Sequence, residues 1–573
     1  MMINCKTINH AFRIKTGFAG LTEEELQVAR AEAEKQQISL LQSILKLGVI
    51  SESELLTAAA KELKTELISL LPEDIESQAI QAVSANIASY YNIVPLKVVD
   101  QTLYVATCDP FNPGIKEELE LVLDSTYEVK LLLTNSEAIR KAIRKSYGVG
   151  ADTIEQMTRD EEIVDSPATP DNLLDETKAY DASIIKLVNQ LLADAISVDA
   201  TDIHIEPYEK ELRTRYRIDG VLYDTGIPKT IRHFRDGIAS RIKIISGLDI
   251  AEKRLPQDGR AQVNLLGHKF DLRVSVLPTR YGEAINIRIL PQNTQLSDLL
   301  SLGMPVNIVS NIKNLISKPH GIILVTGPTG SGKTTTLYAC MNILKNTHKK
   351  VITIEDPIEY DTPGIIQMQV HPDIGFTFAR ALRSMLRHDP DIMLIGEIRD
   401  LETAQTAIRT ALTGHLIFST LHTNNAASAI TRLLDMGIEP YLIASSVEAV
   451  LAQRLVRVIC PNCKKPHEPD SETVTAIKSL LACDSLAATY RGQGCSKCRF
   501  TGYHGRIAIA ELLMLSESIR EMTLSRTHSE QIDSQARHEG MTSLFISGIK
   551  KVAEGITTYE EVLRVTKGAV LME

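Results

Sequence analysis

Several features are scarce in this chain of 573 residues. No apolar run approaches the ~18 residues that a membrane-spanning helix needs. Residues 1–13 lack the apolar core of a signal peptide. Together these absences predict a cytoplasmic protein. Aromatic residues make up 5% of the chain, and no aromatic-rich basic stripe is present on which a nucleic-acid strand would stack. Positive charge is not in excess, since 72 acidic residues against 62 basic ones leave a net charge of −10 at pH 7. That argues against a protein that coats nucleic acid. There are eight cysteines, and the only C-x-x-C spacings are two pairs late in the chain. In a cytoplasmic chain such pairs point to metal rather than to disulfides.

What remains is ordinary globular material, 44% hydrophobic and 23% charged, long enough for about three or four domains. One stretch organises it. Gly327, Pro328, Thr329, Gly330, Ser331, Gly332, Lys333 and Thr334 fit G-x-x-x-x-G-K-[ST] at every required position, the signature of a phosphate-binding loop. An apolar run, Ile322 to Val325, precedes it as a buried strand. Thr335 to Leu344 follows as a helix. The glycines let backbone N–H groups turn inward onto phosphate oxygens at a helix N-terminus. Lys333 would reach the β- and γ-phosphates, and the Thr334 hydroxyl would ligate Mg²⁺.

Taken in order, residues 1–150 read as a docking module without a catalytic constellation. Leu21-Thr22-Glu-Glu-Glu25-Leu26 and Ile50-Ser51-Glu-Ser-Glu54-Leu55 each place a glutamate three residues after a hydroxyl, a capping box that opens a helix. Strands are expected over Val94–Thr107, a turn from Asp109 to Pro113, and helices over Glu117–Leu123 and Ser136–Tyr147. Residues 151–178 carry nine acidic and two basic residues plus Pro167 and Pro170, and read as a flexible acidic linker.

A second unit, 179–300, opens with a helix whose apolar face runs from Ile184 to Ile196. Strands follow, with Arg213, Arg215 and Arg217 on one face and Asp219-Gly220 as a hairpin turn. Arg273 and Arg288 fall on polar faces of later strands. The plain reading of any one of these arginines is a solvated face or a pair with the acidic linker. The sharper one is contact with nucleotide phosphate.

Residues 301–455 alternate short apolar strands (351–355, 392–395, 416–419) with helices (377–387, 401–412), the pattern of a parallel sheet covered on both faces. Polar clusters fall at the carboxyl ends of those strands, where ligands bind in such folds. They are Glu355-Asp356-Pro-Ile-Glu359, Gly396-Glu397-Ile-Arg399-Asp400, and Thr420-Leu-His422-Thr-Asn. Carboxylates there hold hydrated Mg²⁺ or orient an attacking water. In 456–505, Cys460, Cys463, Cys495 and Cys498 offer four thiolates, a closed tetrahedral set suited to structural Zn²⁺. Residues 506–573 read as helical.

From about Asp199 to Thr501 these motifs resemble the GspE-type ATPases of type II secretion, within the wider family of secretion and type IV pilus motor ATPases. Ile354-Glu-Asp-Pro-Ile-Glu-Tyr360 is similar to that family's Asp box, and the run ending Gly-Glu397-Ile-Arg-Asp400 to its Walker B segment. Ser419-Thr-Leu-His422-Thr-Asn424 is similar to its His box. Asp199 to Pro207 and Arg217 to Gly220 are similar to its second N-terminal domain.

The resemblance implies an α/β fold: a RecA-like core, a smaller PAS-like α/β domain, a helix-rich N-terminal docking domain and a tetracysteine insert. It implies nucleotide binding by Gly327 through Thr335. Catalytic roles fall to Lys333, Glu397, His422 and Glu355, with Glu355 the water-activating residue and Glu359 second. Arg273 and Arg288 match arginine fingers, and Thr334, Glu397, Asp356 and Glu359 match the Mg²⁺ surroundings. ATP, Mg²⁺ and structural Zn²⁺ are the implied cofactors. The implied assembly is a homohexamer at the cytoplasmic face of the inner membrane, held there indirectly through a secretion platform and a cytoplasmic adaptor, with no nucleic acid bound. Pilus assembly is the alternative with the same chemistry, and DNA-uptake translocation a more distant one. The cysteine insert counts against pilus-retraction members, which typically lack it. Two departures stand out. His388 replaces a common Gln, and Ser39-Leu40-Leu41 replaces the Arg-Leu-Gly through which some members hold a cyclic dinucleotide.

Overall fold

The computed structural model describes residues 22–570 apart from 37–39, 49, 71–74, 110–114, 117–118, 121–122, 124–126, 149, 152, 155–169, 266, 292–297, 346–347, 470 and 482–487. Ser39, the 110–113 part of the expected turn and much of the expected helix 117–123 lie outside these residues. So does 155–169 of the acidic segment. The chain divides into two compact units, Met1–Leu290 and Pro291–Glu573.

In the first unit both capping boxes form. Thr22 and Glu25 exchange hydrogen bonds at the start of the helix Glu23–Gln36, and Ser51 and Glu54 do the same before Glu52–Leu63. A three-stranded sheet follows: β1 (Ile93–Val99), β2 (Thr102–Thr107) and β3 (Glu128–Leu133). β1 runs antiparallel to β2, and β2 parallel to β3. Next comes the helix Pro170–Ser197, so the last part of the segment read as linker is helical. Its Ile184, Leu187, Val188 and Leu192 enter one core with a six-stranded sheet. The strands are β4 (Ala200–Pro207), β5 (Leu212–Ile218), β6 (Val221–Asp224), β7 (Gln257–Leu265), β8 (His268–Thr279) and β9 (Gly282–Pro291), in the order β6-β5-β4-β9-β8-β7. The β5–β6 turn has positive φ at Asp219 and Gly220 (49° and 82°), the primed turn that suits a hairpin's twist.

The arginines of this sheet pair locally. Arg215 forks onto Glu206 at 3.0 and 2.7 Å, Arg213 lies 3.4 Å from Asp224, and Arg288 donates Nε to Asp202 at 3.0 Å. Their partners are acids of neighbouring strands.

The second unit holds a seven-stranded sheet. Its strands are β10 (Gly321–Thr326), β11 (Val351–Glu355), β12 (Ile366–Gln369), β13 (Ile392–Ile395), β14 (Leu416–Leu421), β15 (Val447–Ile459) and β18 (Tyr503–Met514), ordered β12-β11-β13-β14-β10-β15-β18. All run parallel except β18, which is antiparallel to β15. Alternate residues enter opposite cores: Ile322, Leu324, Met393 and Ile417 on one face, Ile323, Val325, Leu394 and Phe418 on the other. Both faces are covered, as the continuous apolar runs predict. Between β15 and β18 the small pair β16 (Lys464–His467) and β17 (Thr489–Gly492) belongs to the cysteine insert.

One expectation is corrected. The C-terminal region is not helical from 506, because β18 continues to Met514 and helices begin at Glu517. Residues Ala508 to Leu513 are buried on both sides of the strand, Glu511 among them, and a run of that length, apolar but for that one residue, carries no period that separates strand from helix.

Candidate functional site: the end of the parallel sheet

The loop after β10 needs its glycines. Gly327, Gly330 and Gly332 take φ of 147°, 77° and 85°, in the region that favours glycine. A Cβ on Gly327 would stand 2.5 Å from the Gln453 carbonyl oxygen, and one on Gly332 would stand 2.8 Å from Gln453 Nε2. Gln453 itself comes from β15. Its Nε2 donates to the Ser331 carbonyl at 2.9 Å, and its Oε1 accepts from Thr336 Oγ1 at 2.7 Å. This buried amide joins the loop to the helix Lys333–Leu344, and no spacing rule in the sequence singles it out. Lys333 Nζ donates to the carbonyls of Gly327 and Pro328 at 2.8 and 3.1 Å. Burial pushes its pKa down to about 8, opposed by the charge of Glu397 and aided by that of Arg454.

The three polar clusters meet. Glu397, after β13, pairs with Arg399 and lies 3.3 Å from His422 Nε2, after β14. Arg399 reaches Asp356, after β11, at 3.6 Å. A chain of polar side chains, Asp356–Arg399–Glu397–His422, thus crosses three adjacent strand ends beside Lys333. The hydroxyls of Ser419 and Thr420 tie β14 to β13 through the carbonyls of Ile395 and Gly396 at 2.9 and 2.7 Å. Arg399 was visible as a member of its cluster, but its bridging role was not. Asp400 does something plainer: it caps the helix Leu401–Leu412 by accepting from Thr403 N at 2.8 Å.

Glu355 stands apart from this chain. It is 3% exposed. Oε2 accepts from Tyr338 Oη at 2.6 Å, and Oε1 from Thr353 Oγ1 at 2.7 Å and Gln367 Nε2 at 3.3 Å. Burial raises its pKa against the pull of those three donors. Three donors thus enclose the Glu355 carboxylate, whereas Glu359, four residues on, is only half-buried. Gln367 and Tyr338 also bond the Tyr360 carbonyl, at 2.9 and 3.3 Å, so the Glu355 cage anchors the segment that carries Glu359. Arg273 and Arg288 belong to β8 and β9 of the first unit.

The cysteine insert forms a second site. The Sγ atoms of Cys460, Cys463, Cys495 and Cys498 lie within 4.8 Å of one another. Cys460–Cys495, Cys463–Cys498 and Cys495–Cys498 are separated by 3.8, 3.7 and 3.8 Å. Four sulfurs ~2.3 Å from a central zinc stand about 3.8 Å apart at tetrahedral angles, so the donor set fits Zn²⁺. N–H groups of Cys495 and Gly502 point at Cys498 Sγ at 3.2 and 3.3 Å.

Comparisons with known proteins agree with this geometry. Residues 177–564 match the family described as type II/IV secretion system protein, and residues 63–153 match the MshEN domain. Type IV pilus assembly ATPase PilB of Myxococcus xanthus is 40% identical, covering 95% of this chain and 96% of its own. Type II secretion system ATPase E of Vibrio cholerae is 46% identical, covering 79% of this chain and 88% of its own. Type II secretion system protein E of Xanthomonas campestris is 38% identical, covering 96% and 97%.

Proposed function

The chain belongs to the type II/IV secretion system protein family, and from that premise we propose that it is the ATP-hydrolysing motor of a type II secretion machinery, driving pseudopilus assembly and protein export. One observation carries the hydrolytic part: the phosphate loop, Glu397 and His422 stand on neighbouring strand ends of one sheet, with Lys333 feeling the charge of Glu397.

ATP is the substrate. Gly327 through Thr335 cradle its phosphates, with Lys333 exchanging the carbonyls of Gly327 and Pro328 for phosphate oxygens. Thr334 and Glu397 are the residues that would hold Mg²⁺, with Asp356 and Glu359 added by the motif match, and the ion when bound would neutralise charge on the β- and γ-phosphates. We assign the water-activating role to Glu359 rather than Glu355, because the Glu355 oxygens already accept from three side chains. Glu355 is then a positioning residue. His422 is assigned to the γ-phosphate. The finger role of Arg273 and Arg288 rests on the motif match alone. Cys460, Cys463, Cys495 and Cys498 hold a structural zinc.

The further proposals are a cytoplasmic homohexamer that reaches the inner membrane through an adaptor and the secretion platform. Among the described residues no helix is long and apolar enough to cross a membrane. A second reading, pilus assembly, draws on the relative from Myxococcus xanthus, 40% identical nearly end to end, where the type II relative from Xanthomonas campestris is 38% identical over nearly the same span.

The test is Mg-ATP turnover by the purified full chain, followed by disruption of the gene. Loss of exported proteins with pili intact supports secretion, and the reverse supports pilus assembly. If rings are the active form, specific activity should rise with protein concentration, and concentration-independent turnover would sink the hexamer.

A further inference from the structure

The turn that follows His422 is held from three strands. Thr423 N donates to Thr326 Oγ1 of β10 at 2.9 Å. Arg454 of β15 donates Nη2 to the Asn424 carbonyl at 3.2 Å and to Asn424 Oδ1 at 3.3 Å. Glu511 of β18 accepts from Ala426 N at 2.6 Å. Ala426 opens the helix Ala427–Asp435 and brings no side-chain cap of its own.

Glu511 does a second thing. Its other oxygen accepts from Leu544 N at 3.0 Å, the first residue of the helix Leu544–Ala553. One carboxylate, 2% exposed, therefore joins the N-termini of two helices, each of which favours negative charge there. Burying a charge in a core is costly, and an apolar residue of similar volume commonly serves stability as well or better. Simple packing therefore does not account for a carboxylate at this place. Arg454 and Glu511 thus brace the turn from two neighbouring strands, Arg454 at Asn424 and Glu511 at Ala426. Beyond it, Phe545, Ile549 and Val552 of the helix pack with Ile477 of the cysteine insert.

We propose that Glu511 is a positioning residue of the nucleotide site, which with Arg454 locks the His422 turn to the first turn of the helix Leu544–Ala553, so that the two move as one body when nucleotide engages His422. Strand, turn and helix then carry the state of the nucleotide from the sheet to the C-terminal helices and the cysteine insert. This rests on the reading of His422 as a member of the nucleotide site.

The experiment uses the full chain. Glu511→Gln keeps the shape and replaces one of the two acceptor oxygens by an NH2 group, so it cannot accept from both Ala426 N and Leu544 N. It should lower turnover by about tenfold or more while leaving the affinity for a non-hydrolysable ATP analogue within about twofold. In the wild type, the analogue should slow amide hydrogen exchange at 423–427 and at 543–546 together, and Glu511→Gln should confine the change to 423–427. Full turnover by Glu511→Gln with only a lower melting temperature would make the residue a stability staple and overturn the proposal. So would wild-type exchange at 543–546 that ignores the analogue. If Glu511→Gln does not fold, Arg454→Lys with the wild-type exchange measurement decides. His422→Ala is the control: if it keeps full turnover the reading of the site has failed, and the exchange measurement still judges the brace by itself.

Discussion

The nucleotide site and the cysteine site are both announced by short motifs, yet they are built in opposite ways. The cysteine site is closed. Four sulfurs from two turns lie within 4.8 Å of one another, three of their pairs at 3.7 and 3.8 Å, and a four-thiolate set leaves no corner for a substrate. The nucleotide site is open. Its charges hold provisional partners: Lys333 rests on carbonyls of its own loop, and Glu397 rests on Arg399 and His422. A closed site stores stability in bonds that do not change. An open one needs groups that can exchange partners, and it keeps their geometry by fixing what lies behind them, here Gln453, the Glu355 cage and Glu511.

The largest effect that would test this contrast is at Lys333. Lys333→Ala should lose turnover by at least about 10²-fold with an unchanged melting temperature, since the lysine's present bonds are replaceable. Near wild-type turnover by the purified variant would show the open site misassigned.

Next comes the pair of Asp-box glutamates. Glu359→Gln should bind Mg-ATP normally and slow hydrolysis by about 10²–10⁴-fold, the range for loss of a general base. Glu355→Gln should cost less turnover and more stability, about 1–3 kcal/mol from disturbed buried hydrogen bonds, read by denaturant melting. The opposite ranking of the two kcat values would return the base to Glu355.

On the closed side, Cys463→Ser should abolish zinc in metal analysis and loosen residues 460–505 to proteolysis, leaving ATP affinity close to wild type. A wild-type protein free of metal under reducing conditions would break the comparison at its root.

The smallest effect is a pH dependence. With its pKa held at about 8, the unliganded Lys333 loses its proton as pH rises through that value, and phosphate prefers the protonated form. ATP affinity should therefore be flat below about pH 7 and decline above about pH 8, by up to tenfold per unit. Lys333→Arg, charged throughout, should flatten the curve. The sign for stability is the reverse. Between about 8 and the ordinary 10.5 the unfolded chain holds the extra proton, so the unliganded fold should gain stability as pH rises through that window. Titration of nucleotide binding and of melting temperature against pH checks both.

The sequence alone was sufficient wherever the chemistry is local. The phosphate loop, the two C-x-x-C turns, the capping boxes at Thr22 and Ser51 and the hairpin at Asp219-Gly220 are each made by a few consecutive residues, so their spacing is their geometry. The boundaries of β11, β13 and the helix Leu401–Leu412 were legible for a related reason: short apolar runs between polar clusters leave little choice. Tertiary structure decided the rest. That Glu355 is enclosed follows from Tyr338 and Gln367 converging on it from a helix and an edge strand. Gln453 meets Ser331 across 122 residues, and Glu511 meets Ala426 across 85. β18 was hidden because its neighbours bury both of its faces and erase the alternation that marks a strand. Pairing across such distances is set by which strands lie side by side in the sheet, and no interval along the chain encodes that order.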